Sequence, residues 1–159
     1  MTTPSTPSTP SDQSDQSDQS TPATSLTATE IVRQMMPLCA MLGITGREFD
    51  AESIVLALEW RPELCTSNGV LHGGVIMTLA DSAGAGCAFF NLPAGAIGTS
   101  TIESKTNFLG AVRGGSVTAR STALHVGSST IVVETEVRDD TGRLVAKVTQ
   151  TQAVLRPRP

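Results

Sequence analysis

The stretch NGVLHGGVIMTLADSAGAG, residues 68–86, sets one carboxylate, Asp81, in a run of apolar and small residues that opens with His72-Gly73-Gly74. A carboxylate in such surroundings costs free energy unless it is paired, hydrogen-bonded or used. Asp81 is therefore either a tolerated polar group of the core or an acid–base group. Gly73 and Gly74 fall where the run begins as a helix. The first amides of a helix lack intrahelical partners, and the helix dipole is positive there. Glycine lets a ligand approach the backbone closely. A helix start of this kind can polarise a carbonyl, or hold a phosphate. The plain alternative is a tight turn packed under the helix. The Gly-Lys-Ser/Thr of a phosphate loop is missing, and GAGCAF lacks the third glycine of a dinucleotide loop.

Other candidates for chemistry are weaker. His72 leads into the helix and is read as orienting the turn before it is read as a base. His125, beside the turn HVGSS, is read as structural. GxSxG does not occur, and Cys39, Cys65 and Cys87 are scattered with no CxxC among them. They read as buried free thiols of a reducing compartment rather than zinc ligands or a disulfide framework.

The spacing of the two parts carries a consequence. Asp81 lies eight residues after Gly73, about 12 Å along a helix axis. One carbonyl cannot sit at the Gly73 amide and against the Asp81 of the same helix. If both act on one substrate, they come from two chains, with two copies of the helix antiparallel across a twofold axis and two equal sites.

The elements that must position these groups are legible. Residues 1–24 repeat Ser, Thr, Pro, Asp and Gln and read as a disordered tail, with the domain over 25–159 beginning near Leu26. Thr27 and Glu30 form a capping box, and Ile31, Met35, Leu38 and Leu42 follow at helical spacing. Pro37 should kink or end that helix, and Gly43 closes it. ITGREFD and SIVLALEW read as strands, the second apolar on both faces. A helix from about Gly73 to Phe90 has a second half crowded with small residues, which suits close approach to another backbone. Ile97–Leu109, Ser116–Val126, STIVVETEVRD and Arg143–Leu155 read as strands, with a hairpin at DDTG. The order predicts an α+β domain: one antiparallel sheet curled around a single buried helix.

Bulk properties narrow the function. Of 159 residues, 16% are charged and the net charge is −4, which argues against a nucleic-acid binder. Val75–Leu92 is long and mostly apolar, but it carries Asp81 near its middle, has no Lys/Arg cluster beside it and is rich in Ala and Gly. It reads as a core helix, not a membrane span. No basic segment followed by an apolar one opens the sequence, so a cytoplasmic protein is expected.

GVLHGGVIMTLADSAGA, then TSTIESKTNFL, then GRLVAKVTQTQAV, with MPLCAMLGI ahead of them, resemble the hotdog-fold acyl-CoA thioesterases of the PaaI type from about Met36 to Leu155. The resemblance implies a sheet wrapped around a long helix, dimers joined edge to edge and often tetramers. It implies hydrolysis of an acyl- or aryl-acetyl-CoA thioester to the free acid and coenzyme A, with no metal or cofactor. Position by position, Gly73 matches the amide that polarises the thioester carbonyl. Asp81 matches the nucleophile or general base, Thr101 the hydroxyl that positions water, and His72 a supporting group near the carbonyl. Asp rather than Glu at position 81 favours the PaaI-like branch. The family often has Asn six positions before the motif His, where this chain has Thr66. Thr66 supplies that contact, or Asn68 reaches in, or the contact is missing. Gly74 completes the binding turn, and Lys105, Arg113, Arg120 and Arg143 are candidates for the coenzyme A phosphates. The alternative function is a non-catalytic acyl-CoA sensor on the same fold. A hotdog hydratase would need a catalytic His in a Pro/Gly-rich loop, which is not found here.

Overall fold

The computed structural model describes residue 1 and residues 26–158. The segment read as a disordered tail therefore lies, Met1 apart, outside the described residues. Helix α1 (Ala28–Met35) starts at the expected capping box: the Glu30 amide donates to Thr27 Oγ1 at 3.2 Å and the Thr27 amide to Glu30 Oε2 at 2.7 Å. Pro37 ends it. Met36 is extended, as a residue before proline must be, and Pro37 opens a second short helix, α2 (Pro37–Leu42), closed by Gly43 in the left-handed region at φ 76°.

That break changes which side of the segment is buried. The periodic set Ile31, Met35, Leu38 and Leu42 assumed one continuous helix. Met36 resets the phase, so Val32 and Cys39 are the buried residues, while Met35 and Leu38 are 44% and 46% exposed.

Six strands follow: β1 (Thr45–Phe49), β2 (Ile54–Glu59), β3 (Gly98–Phe108), β4 (Ser116–Val126), β5 (Thr130–Asp139) and β6 (Leu144–Leu155). They form one sheet in the order β1-β2-β4-β5-β6-β3, antiparallel at each pairing. Ile54 to Leu58 are all buried, as the two-sided apolar pattern of β2 required. In β4 and β5 the core face alternates cleanly: Val117, Ala119 and Ser121 on one, Ile131, Val133, Thr135 and Val137 on the other. This face curls around helix α3 (Gly73–Phe90), which packs against β2, β3, β4, β5 and β6. By length and composition alone α3 would cross a bilayer, but half of it is buried inside the domain, where it forms the axis of the core.

The small residues of α3 do allow close approach, though at Gly84 the neighbour is a side chain rather than a backbone. A Cβ at position 84 would run into the Gln150 amide oxygen. At Gly86 a Cβ would make only ordinary contact, 3.5 Å from Phe49 and Ile54.

Candidate active site

The approach to α3 is pinned residue by residue. After a 3-10 turn, Pro62–Leu64, the chain makes a tight loop in which the Thr66 amide donates to the Val70 carbonyl at 2.8 Å, with Gly69 at φ +68°. The Trp60 indole N–H donates to the Gly69 carbonyl at 3.3 Å. Leu71 N–H donates to the Val112 carbonyl and His72 N–H to the Leu64 carbonyl, both at 2.9 Å.

His72 is the N-cap of α3. Its Nδ1 accepts the Gly74 amide at 2.9 Å, so in the neutral ring the proton sits on Nε2. Its carbonyl accepts the amides of Val75 and Ile76 at 2.9 and 3.2 Å. The Ile76 bond is the first of the helix ladder. Of the four amides that the helix start leaves open, those of His72, Gly74 and Val75 are engaged, and the Gly73 amide alone has no partner among the described residues. Gly73 lines a cavity of about 480 Å³ with Thr66, Val70, Leu71, Ile76, Phe108 and the 109–111 turn. Thr66 shares this cavity. Asn68 is exposed at the loop tip and offers its backbone carbonyl to Arg113 Nη1 at 2.8 Å.

Two turns along α3, half-buried Asp81 is held through one oxygen. Gln150 Nε2 donates to Asp81 Oδ1, and Thr101 Oγ1 donates to the same oxygen at 3.4 Å. Thr101 in turn accepts from Gln152 Nε2 at 2.8 Å. Asp81 Oδ2 has no hydrogen-bond partner among the described residues. The carboxylate lines a second cavity, of about 500 Å³, with Met36, Leu38, Gly74, Met77, Thr78, Ser82 and Ser104. Gln150 and Gln152 were not among the residues expected from the sequence, although both lie in the block GRLVAKVTQTQAV that carried part of the resemblance.

Gly73 and Asp81 of one chain thus line different cavities, in keeping with the axial distance between them. Lys105 joins neither group. It pairs with Thr149 on the outer face of the sheet, whereas Thr101 and Ser104 pair with Gln152 and Gln150 on the inner face. A bulge at Ile102 shifts the alternation between Thr101 and Glu103 and turns Lys105 outward. Arg120 is engaged by Glu48 and Ser53 at 2.8 Å each. Arg143 binds Asp139 and donates to the Ala111 carbonyl at 2.8 Å, bracing the wall of the Gly73 cavity. The Asp139 carboxyl is held down to about 2, first by the Thr141 hydroxyl and then by Arg143.

Two of the three cysteines are the buried free thiols expected; Cys65 is instead partly exposed, its Sγ donating to the Arg61 carbonyl at 3.3 Å. Burial pushes the Cys87 thiol up to about 11 and raises that of Cys39, so both are protonated at neutral pH.

Residues 68–146 match the family model of the thioesterase superfamily. The 1,4-dihydroxy-2-naphthoyl-CoA hydrolase of Listeria monocytogenes is 32% identical over 123 residues, spanning 77% of this chain and 99% of that protein. The chain belongs to the thioesterase superfamily. A solved thioesterase from Haemophilus influenzae superposes on this hotdog domain with a TM-score of 0.76 at 25% identity, over 84% of this chain and 93% of that one. A Vibrio cholerae relative is 38% identical over 91 residues, which are 57% of this chain and 60% of its own length. The protein is a thioester hydrolase, built as a six-stranded antiparallel sheet around one long helix.

Proposed function

We propose that this thioesterase hydrolyses acyl- or aryl-acetyl-CoA thioesters in the cytoplasm, through sites shared between two subunits, as in the PaaI-like branch. The observation that carries the reading is the pair of half-sites on α3: a partnerless Gly73 amide in one cavity and a singly anchored Asp81 carboxylate in another. The thioester carbonyl oxygen accepts the Gly73 N–H, and the other subunit's copy of α3 brings its own Asp81 to the carbonyl carbon. That carboxylate removes a proton from water as it attacks, or attacks directly. In the first case the tetrahedral intermediate expels coenzyme A thiolate, which takes the proton back from Asp81, and leaves the free acid. In the second, expulsion of the thiolate leaves a mixed anhydride on Asp81, which water then hydrolyses to the free acid and the carboxylate. His72, with its proton on Nε2, keeps the turn in shape and faces the carbonyl as a second polar group.

The dimer forms along β3, an edge of the sheet whose outer side has no strand beside it among the described residues and whose Ile102 is 62% exposed. Edge-to-edge pairing there carries the sheet across the twofold axis, and dimers pair again as tetramers. Thr66, sharing the cavity of Gly73, takes the place of the loop asparagine, with Asn68 shaping the loop through its carbonyl. The acyl group lies in the cavity beside Asp81, where Met36, Leu38 and Met77 form flexible apolar walls. Its volume of about 500 Å³ is of the size that holds a small aromatic or medium aliphatic group. The Listeria relative is named for an aromatic thioester, which supports including that class.

The test is thiol release from a panel of phenylacetyl-, naphthoyl-, hexanoyl- and palmitoyl-CoA. Aromatic or medium acyl groups should be hydrolysed with higher kcat/KM than palmitoyl. Tight binding of the same thioesters with no thiol released would favour the sensor instead, and no binding at all would reject coenzyme A thioesters as substrates.

A further inference from the structure

Gln150 and Gln152 stand on the core face of β6, in phase with Val148, and both are fully buried. At such positions an apolar side chain is the ordinary solution, because a buried amide must find partners for its donors and its acceptor. Neither glutamine does. The Oε1 atoms of both are buried without a hydrogen-bond partner among the described residues. The donors are what the two amides use, and both lead to Asp81: Gln150 Nε2 to Oδ1 and, at 3.5 Å, to the Asp81 backbone carbonyl, and Gln152 Nε2 to Oδ1 by way of Thr101.

The directions of these bonds follow from chemistry. An ionised carboxylate only accepts, so the Gln150 atom against Asp81 Oδ1 must be the amide N–H. Thr101 must likewise donate its hydroxyl proton to Oδ1, which leaves its lone pairs to accept from Gln152. The result is a directed relay, Gln152 to Thr101 to Asp81, joined at Oδ1 by Gln150. Gly84 belongs to it as well, since only a residue without a Cβ leaves room for the Gln150 oxygen beneath α3.

We infer that Gln150 and Gln152 are positioning residues for hydrolysis: they fix Asp81 through Oδ1 and reserve Oδ2 as the oxygen that meets water or the thioester. The inference rests on the proposed role of Asp81. It assigns the reacting oxygen and adds the two glutamines and Gly84 to the residues that determine the rate. Because they act only through Asp81, their loss should lower kcat and leave KM nearly unchanged. Because each is an incompletely bonded buried amide, an apolar replacement of similar size should not lower stability.

The experiment is a double-mutant cycle on the full-length enzyme, with Gln150→Met and Asp81→Asn singly and together, reading kcat, KM and Tm on the best thioester. Gln150→Met should lose on the order of 10²-fold in kcat, the loss typical of a misplaced reacting group. KM should hold, and Tm should hold or rise. In the Asp81→Asn background the same change should cost nothing further, since the group it positions is already gone. Gln152→Met and Gly84→Ala, which reach Asp81 through Thr101 and through Gln150, should reproduce the kcat-specific loss. They also keep the test open should Gln150→Met fold poorly. Equal proportional losses in both backgrounds, or unchanged kcat in the folded variants, would overturn the inference while leaving an inactive Asp81→Asn intact. An active Asp81→Asn would remove the reading of Asp81 and this inference together.

Discussion

Asp81→Asn should lower kcat by about 10²–10⁴-fold, the range that a positioned acid–base group supplies. The fold has no reason to change. Asparagine keeps the shape, and its carbonyl oxygen can accept from Gln150 Nε2 and Thr101 Oγ1 where Oδ1 does now. What it loses is the basic, nucleophilic oxygen at Oδ2. Measured as kcat on the best thioester, with the thermal transition and the elution volume as controls, the variant should be a folded oligomer with substrate affinity near that of the wild type. A variant that turns over at the wild-type rate would remove Asp81 from the chemistry.

The second large effect is expected at Gly73, where a backbone donor can be deleted by mutation. Gly73 is the first residue of α3, the one helical position that favours proline, because its amide bonds nothing within the helix. His72 already has φ −64° and ψ 133°, a conformation allowed to a residue before proline. Gly73→Pro therefore removes the N–H while keeping the helix start. Any Cβ at this position meets the Phe108 ring at 3.0 Å, so Gly73→Ala serves as the steric control. Loss of one oxyanion donor costs about 10²–10³-fold in kcat, and the proline variant should fall below the alanine variant by that factor. Equal kcat in the two would mean that the Gly73 amide does not hold the carbonyl.

Much of the architecture was legible because local signals agreed with one another. The capping box at Thr27, the stop at Pro37, the span of α3 from Gly73 to Phe90, and the hairpin at DDTG each appear where their residues put them. The position of Asp81 on α3, far from the Gly73 of its own chain, followed from helix geometry alone.

What escaped the sequence was phase. In KVTQTQAV the residues from Thr149 to Gln152 are all polar, so nothing local says which pair faces inward. Val148 sets the phase in the folded strand, and with it Gln150 and Gln152 enter the core. Lys105 shares parity with Thr101 and would share its face on a regular strand. The bulge at Ile102 inverts that relation, and no glycine or proline marks it. Met36 did the same to the first helix, where the apolar period of Ile31, Met35, Leu38 and Leu42 runs across a break. Leu38 then serves the cavity beside Asp81 rather than the core.

Complementation between two inactive chains tests the central claim, a site made from the Gly73 of one subunit and the Asp81 of the other. Asp81→Asn and Gly73→Pro chains, each inactive alone, are unfolded together, refolded and assayed for thiol release. A mixed dimer then holds one site with both an intact Gly73 amide and an intact Asp81. Half of randomly paired dimers are mixed and each has one working site of two, so the mixture should recover about a quarter of the wild-type activity. Mixed dimers that form but show no more activity than the separate variants would contradict the account, because each chain would then need its own Gly73 and its own Asp81.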